Sequence, residues 1–232
     1  MDRIDTDALN PAHETDAEKL HRGTRIALGL VPVVGGALVE VFSSVVESPL
    51  TKRRWEAMEQ IGDVINELLE KKVVTEEGLQ QNESFVSTVA EACAISLRNH
   101  QKEKLDALKN AVRNSALPSC PPDDYRQMFL SFVDSCTVTH IKLLHLFHNP
   151  KSWIASQGRQ FPEGWYMGGI TQVIEYALPE LKGQEPLYGS IWKDLYQRGL
   201  ISTDSLGTTM SVEGMTANRT TDLGARLIVF LS

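Results

Sequence analysis

Apolar side chains recur every three or four positions along residues 55–69, at Trp55, Met58, Ile61, Val64, Ile65, Leu68 and Leu69, while Lys52, Arg53, Arg54, Glu56, Glu59 and Glu67 fall mainly on the other side. That period predicts an amphipathic helix with one face in a core. Ser48-Pro49 opens it, since serine caps and proline suits a first turn. After a break near residues 73–77, Phe85, Val86, Val89, Cys93, Leu97, Leu105, Leu108 and Val112 carry the same spacing, which predicts a second long helical stretch over residues 82–116. The prolines of LPSCPP, residues 117–122, then stop it.

Acids at Asp123-Asp124 begin another helix, DDYRQMFLSFVDS, where they meet the positive end of the helix dipole. Thr137 opens one more, running to His148, and Asn149-Pro150 closes it. An irregular stretch over residues 153–163 precedes two helical segments, 169–178 and 186–198, the second capped by Gly199. Leu200-Ile201, LGTTM and the turn-rich SVEGMTANRT follow, and TDLGARLIVFLS forms a short apolar helix behind a threonine cap.

The most apolar stretch lies near the start. IALGLVPVVGGALVEVFSSVV, residues 26–46, has the length of a membrane span and a single charge, Glu40. Gly29, Gly35 and Gly36 would let another helix approach closely, as membrane helices do. Against that reading, Glu40 is costly in hydrocarbon, and Pro32 with the glycine pair weakens an isolated helix. A buried broken helix or hairpin at the centre of a bundle is favoured. Gly29, Pro32, Gly35, Gly36 and Glu40 are therefore the candidate membrane or partner segment. No phosphate loop is present there, because the glycines lack the Gly-Lys-Ser/Thr ending.

The fold class that follows is mainly α: a flexible arm over residues 1–22, a helical bundle over 23–136 carrying the apolar segment, and a winged-helix-like α+β module over 137–232. Composition agrees with a chain that folds, with hydrophobic residues at 42% and charged residues at 23%. The net charge of -7 argues against a protein that coats nucleic acid. Between Arg98 and Arg113 five basic residues face two acids, which suits an ordinary solvated face. Three cysteines, Cys93, Cys120 and Cys136, show no CxxC spacing, so neither a disulfide framework nor a zinc knuckle is indicated. The first 25 residues hold no secretory core, and a cytoplasmic protein, membrane-associated only if residues 26–46 insert, is expected.

Catalytic chemistry is not indicated. Cys93 and Cys136 sit in or beside helices without an electropositive setting, and the acid pairs Glu76-Glu77 and Asp123-Asp124 mark helix starts. His140, His145 and His148 make an H-x4-H-x2-H pattern in which only His145 and His148 clearly share a face, and no cysteine, aspartate or glutamate is convincingly placed as a further ligand, so core or boundary histidines are expected, with no metal and no cofactor. The order helix, helix, helix, short strand pair and closing element resembles a winged helix. Its candidate reading helix, PLYGSIWKDLYQR, offers only Lys193 and Arg198 with Gln197, and the wing adds Arg219. These three basic residues are the candidate nucleic-acid contacts; protein contact is favoured over base readout.

NESFVSTVAEACAISLRNHQ, DSCTVTHIKLLHLF, QRGLIS and TDLGARLIVFL, taken with the glycine-containing apolar segment, resemble the bacterial abortive-infection alpha family. The resemblance implies a role in antiviral defence or stress response and carries over no catalytic residue. The expectation is a non-enzymatic regulatory or effector protein acting through self-association or a protein partner. A DNA-binding transcriptional regulator and a membrane-inserting effector are the alternatives.

Overall fold

The 48–232 stretch is described by a computed structural model; the arm over 1–22 and the apolar segment with Gly29, Pro32, Gly35, Gly36 and Glu40 lie outside the described residues. The chain is mainly helical, with 11 α-helices and one antiparallel strand pair among the described residues. It forms two compact units, the first ending at Arg126 and the second spanning Gln127–Ser232.

In the first unit, α1 (Ser48–Glu70) buries Val64 and Leu68 of its periodic stripe, while Met58 of the same stripe stays exposed. A short α2 (Glu76–Gln80) follows, capped by the Thr75 hydroxyl, which accepts from the Gly78 N–H at 3.1 Å. Next comes α3 (Glu83–Arg98), whose first turn is satisfied by the Asn82 side chain accepting from the Phe85 N–H at 3.0 Å. With α4 (Lys102–Ser115), helices α1 and α3 pack into a bundle around Phe85, Ala92, Ile95, Leu108, Ala111 and Val112.

Where periodicity predicts one helix over 82–116, the structure makes two. Asn99 takes an extended conformation (φ -118°, ψ 144°), its amide donates to the Ile95 carbonyl at 2.9 Å, and its Oδ1 accepts from the Lys104 ammonium at 2.8 Å. A short polar side chain here replaces the helical ladder with its own hydrogen bonds. The nearly buried Lys104 thereby has a partner, as a buried ammonium requires.

One carboxylate joins α1 to α4. Glu67 accepts from Lys71 at 2.8 Å and from Arg113 at 2.8 Å, and these two cations hold its carboxyl at about 2, against an ordinary value of 4.5. A depressed folded-state value means that the stability it contributes is present above about 4.5 and is lost as pH falls toward 2. Glu67→Gln is expected to lower the denaturant midpoint at pH 7, with the gap from wild type closing between pH 4.5 and 2. Unfolding followed by circular dichroism across that range checks it; a gap independent of pH would refute it.

The helix α5 (Asp123–Ser135) begins as its acids foretell. Asp123 accepts from Arg126 at 2.8 Å and from Ser84 at 3.0 Å, and the guanidinium keeps its carboxyl below the usual range. The second unit continues with α6 (Val138–His148) and α7 (Pro150–Ser156). Asn149-Pro150 both ends α6 and starts α7: the Asn149 side chain accepts from the Ser152 N–H at 3.0 Å and Pro150 occupies the first turn. Then follow β1 (Met167–Gly168), α8 (Ile170–Ala177), a 3-10 turn (Pro179–Leu181) and α9 (Glu185–Gln197). The chain closes with β2 (Met210–Ser211), α10 (Val212–Met215) and α11 (Asp222–Phe230). Trp192, Phe147, Tyr188, Phe129 and Phe230 fill this core, with Phe147 edge-on to Trp192 at 4.8 Å between ring centres.

Strand β2 pairs antiparallel with β1, Met167 facing Ser211 and Gly168 facing Met210. Two residues are too few for alternation to show in sequence, and β1 was not foreseen. Part of the turn-rich SVEGMTANRT is also helical, as α10.

The two motifs QRGLIS and TDLG meet in space. Gly199 turns the chain at φ +71°, and the Thr221 hydroxyl donates to its carbonyl at 2.6 Å. Thr221 N–H donates to the Leu200 carbonyl at 3.1 Å, Ser202 N–H donates to that of Arg219 at 2.8 Å, and Ile201 bridges Thr220. The same hydroxyl accepts from the Gly224 N–H at 3.1 Å, so one side chain both caps α11 and fastens it to the end of α9. Among the described residues no helix is long and apolar enough to cross a membrane.

Candidate functional site

A loop over residues 157–166, without regular structure, forms an aromatic cluster with Tyr176 of α8. Phe161, Trp165 and Tyr176 lie with ring centres 5.3–5.7 Å apart, each in contact with the other two. Arg159 sits over the Tyr176 ring at 4.4 Å and donates to the Tyr176 carbonyl at 2.7 Å, while the Tyr176 hydroxyl donates to the Gln160 carbonyl at 2.6 Å. These bonds tie the loop to α8 and fix the rings without burying them. Beside them Tyr166 is 80% exposed and Met167 66% exposed. Large apolar faces on a pre-ordered scaffold, with an arginine at their edge, have the composition of a protein-binding hot spot. The sequence predicts an irregular stretch over 153–163, whose first four residues belong instead to α7; the signal for the aromatic site is Phe161, Trp165 and Tyr166 crowded into a short loop.

The three candidate nucleic-acid contacts are not equivalent. Lys193 is exposed on α9. Arg198 is engaged: its Nε donates to Asp194 Oδ2 at 2.6 Å, its Nη1 to the Ser135 hydroxyl at 3.1 Å, and its guanidinium lies over the Phe132 ring at 5.3 Å. Arg219 donates to the Gly214 carbonyl at 2.5 Å and to the Met210 sulfur at 3.2 Å, which draws it back onto α10 and β2.

The histidines of α6 separate in the same way. His148 Nδ1 bonds the Thr220 hydroxyl at 3.0 Å. His145 faces a cavity, and burial, followed by the neighbouring His148, pushes its imidazole below the ordinary 6.5. His140 has the neighbours that the sequence did not show. Its Nδ1 lies 3.1 Å from the Thr137 N–H and 2.8 Å from the Thr137 hydroxyl, so the helix start positions the ring. Its Nε2 meets Asp194 Oδ2 of α9 at 3.1 Å. The nearly buried thiol of Cys136 completes a trio whose candidate ligand atoms all lie within 4.8 Å of one another. An apolar cavity of ≈ 20 Å³ lies beside Cys136, His140 and His145.

Set beside protein-family models, curated proteins and solved structures, the chain matches none of them.

Proposed function

We propose that this chain is a non-enzymatic helical regulatory or effector protein that works by binding a protein partner or a second copy of itself through the aromatic loop of its C-terminal unit. The observation that carries this reading is the exposure of Tyr166 and Met167 beside the ordered Phe161, Trp165 and Tyr176 cluster. Burying such faces supplies the apolar area on which association depends, and the fixed rings lower its entropic cost. Protein contact is favoured over DNA readout because Arg198 and Arg219 hold the unit's own scaffold instead of standing out from it. The resemblance to the abortive-infection alpha family points to antiviral defence as the setting.

Light scattering over a concentration series, and cross-linking in the host cell, test the reading with wild type and a Tyr166→Ser, Met167→Ser double variant. Wild type is expected to associate and the variant to bind at least about tenfold more weakly, the loss of a single modest hot spot. Both positions are exposed, so the fold should persist. Equal association of the two proteins would sink the proposal.

A further inference from the structure

We propose that Cys136, His140 and Asp194 form a binding site for one divalent transition-metal ion of the zinc class, with water as the fourth ligand. The donor set is one thiol, one imidazole and one carboxylate, the borderline combination that zinc takes with three protein ligands and a water. Around a tetrahedral ion, nitrogen and oxygen ligands stand roughly 3.3 Å apart, given metal–ligand bonds of about 2.0–2.1 Å. His140 Nε2 and Asp194 Oδ2 are already at 3.1 Å.

The surroundings supply what such ligands need. A metal on Nε2 requires the ring proton on Nδ1, and the Thr137 hydroxyl at 2.8 Å is placed to accept it. In the metal-free tautomer Nδ1 accepts from the Thr137 N–H, so binding exchanges one Thr137 bond for the other. Asp194 is held by the Arg198 guanidinium, whose own position is set by Ser135 and Phe132. Partners of this second kind orient ligands and tune affinity. Thiolate and carboxylate together balance the charge of the ion, and the thiol proton leaves on binding.

Titration of the reduced full chain with Co²⁺ in the absence of oxygen tests the site directly. One equivalent is expected to bind, giving a thiolate-to-cobalt charge-transfer band and the visible absorption of tetrahedral cobalt, both abolished by excess Zn²⁺. Cys136→Ser should lose the charge-transfer band although Cys93 and Cys120 remain. Thr137→Val should weaken binding about 10–100-fold, the usual effect of removing an outer partner, and Asp194→Asn at least as much. Failure of wild type to bind one equivalent, a wild-type spectrum without thiolate character, or an unchanged spectrum in Cys136→Ser would each overturn the proposal. Should Cys136→Ser fail to fold by circular dichroism, the wild-type spectrum together with Asp194→Asn decides, since Asp194 is partly exposed.

Discussion

Gly224→Ala is expected to destabilise the C-terminal unit by roughly 3 kcal/mol, the upper part of the range for forcing atoms into a filled space. A Cβ at Gly224 would overlap the carbonyl oxygen of Leu200, and it would also press on Leu144 at 3.4 Å. The obstacle is backbone, and it cannot swing aside as a side chain would. Leu200 is held by the hydrogen bond its carbonyl accepts from Thr221, and the preceding Gly199 by the Thr221 hydroxyl. Relief therefore requires the start of α11 to lift from the end of α9. Gly207→Ala is the control, because a Cβ there meets nothing within 4 Å and no left-handed backbone is involved. That variant should stay within about 0.5 kcal/mol of wild type. Denaturant unfolding of the three proteins checks the pair, and equal midpoints for Gly224→Ala and Gly207→Ala would show that the seam is loose.

A larger loss, about 4 kcal/mol, is expected for Trp192→Ala. Trp192 has 0% exposure and stands edge-on to the equally buried Phe147, so truncation leaves a ring-sized void between α6 and α9. Trp192→Phe distinguishes packing from polarity. The indole Nε1 is buried and has no hydrogen-bond partner, so phenylalanine removes an unsatisfied donor while retaining most of the aromatic contact. It should cost less than half as much as alanine. A phenylalanine variant as unstable as the alanine one would mean that the indole shape itself, and not aromatic burial in general, is what this core requires.

Features written within one turn of the chain were legible in the sequence. Helix α1 starts at Ser48-Pro49 and α5 at Asp123-Asp124, as the sequence predicts, and the Thr221 cap of α11 was readable because a capping side chain lies three residues from the amide it satisfies. The mainly helical class follows from the same local signals. The break at Asn99 was hidden because apolar spacing continues on both sides of it, while the determining bond runs to a lysine side chain five residues on. The metal-ligand candidates escaped for a different reason. Cys136 and His140 are neighbours in sequence, but Asp194 lies 54 residues beyond His140 and arrives only through the packing of α9 on α6. QRGLIS and TDLG stood out separately; that they are two halves of one fastening emerges only when Thr221 is seen against Gly199.

The two-residue length of β1 bears on how a sticky surface can be displayed without harm. Exposed aromatic residues along a long strand would present a row of unpaired amides and carbonyls, the template from which chains stack into fibrils. Here Met167 is followed by Gly168 and then by a helix, so the strand ends before a second chain could extend a ladder along it. Growth by backbone pairing is cut off at its first step, and recognition is left to side chains alone. A surface built this way shows apolar rings to water without also offering a backbone template along which chains could stack.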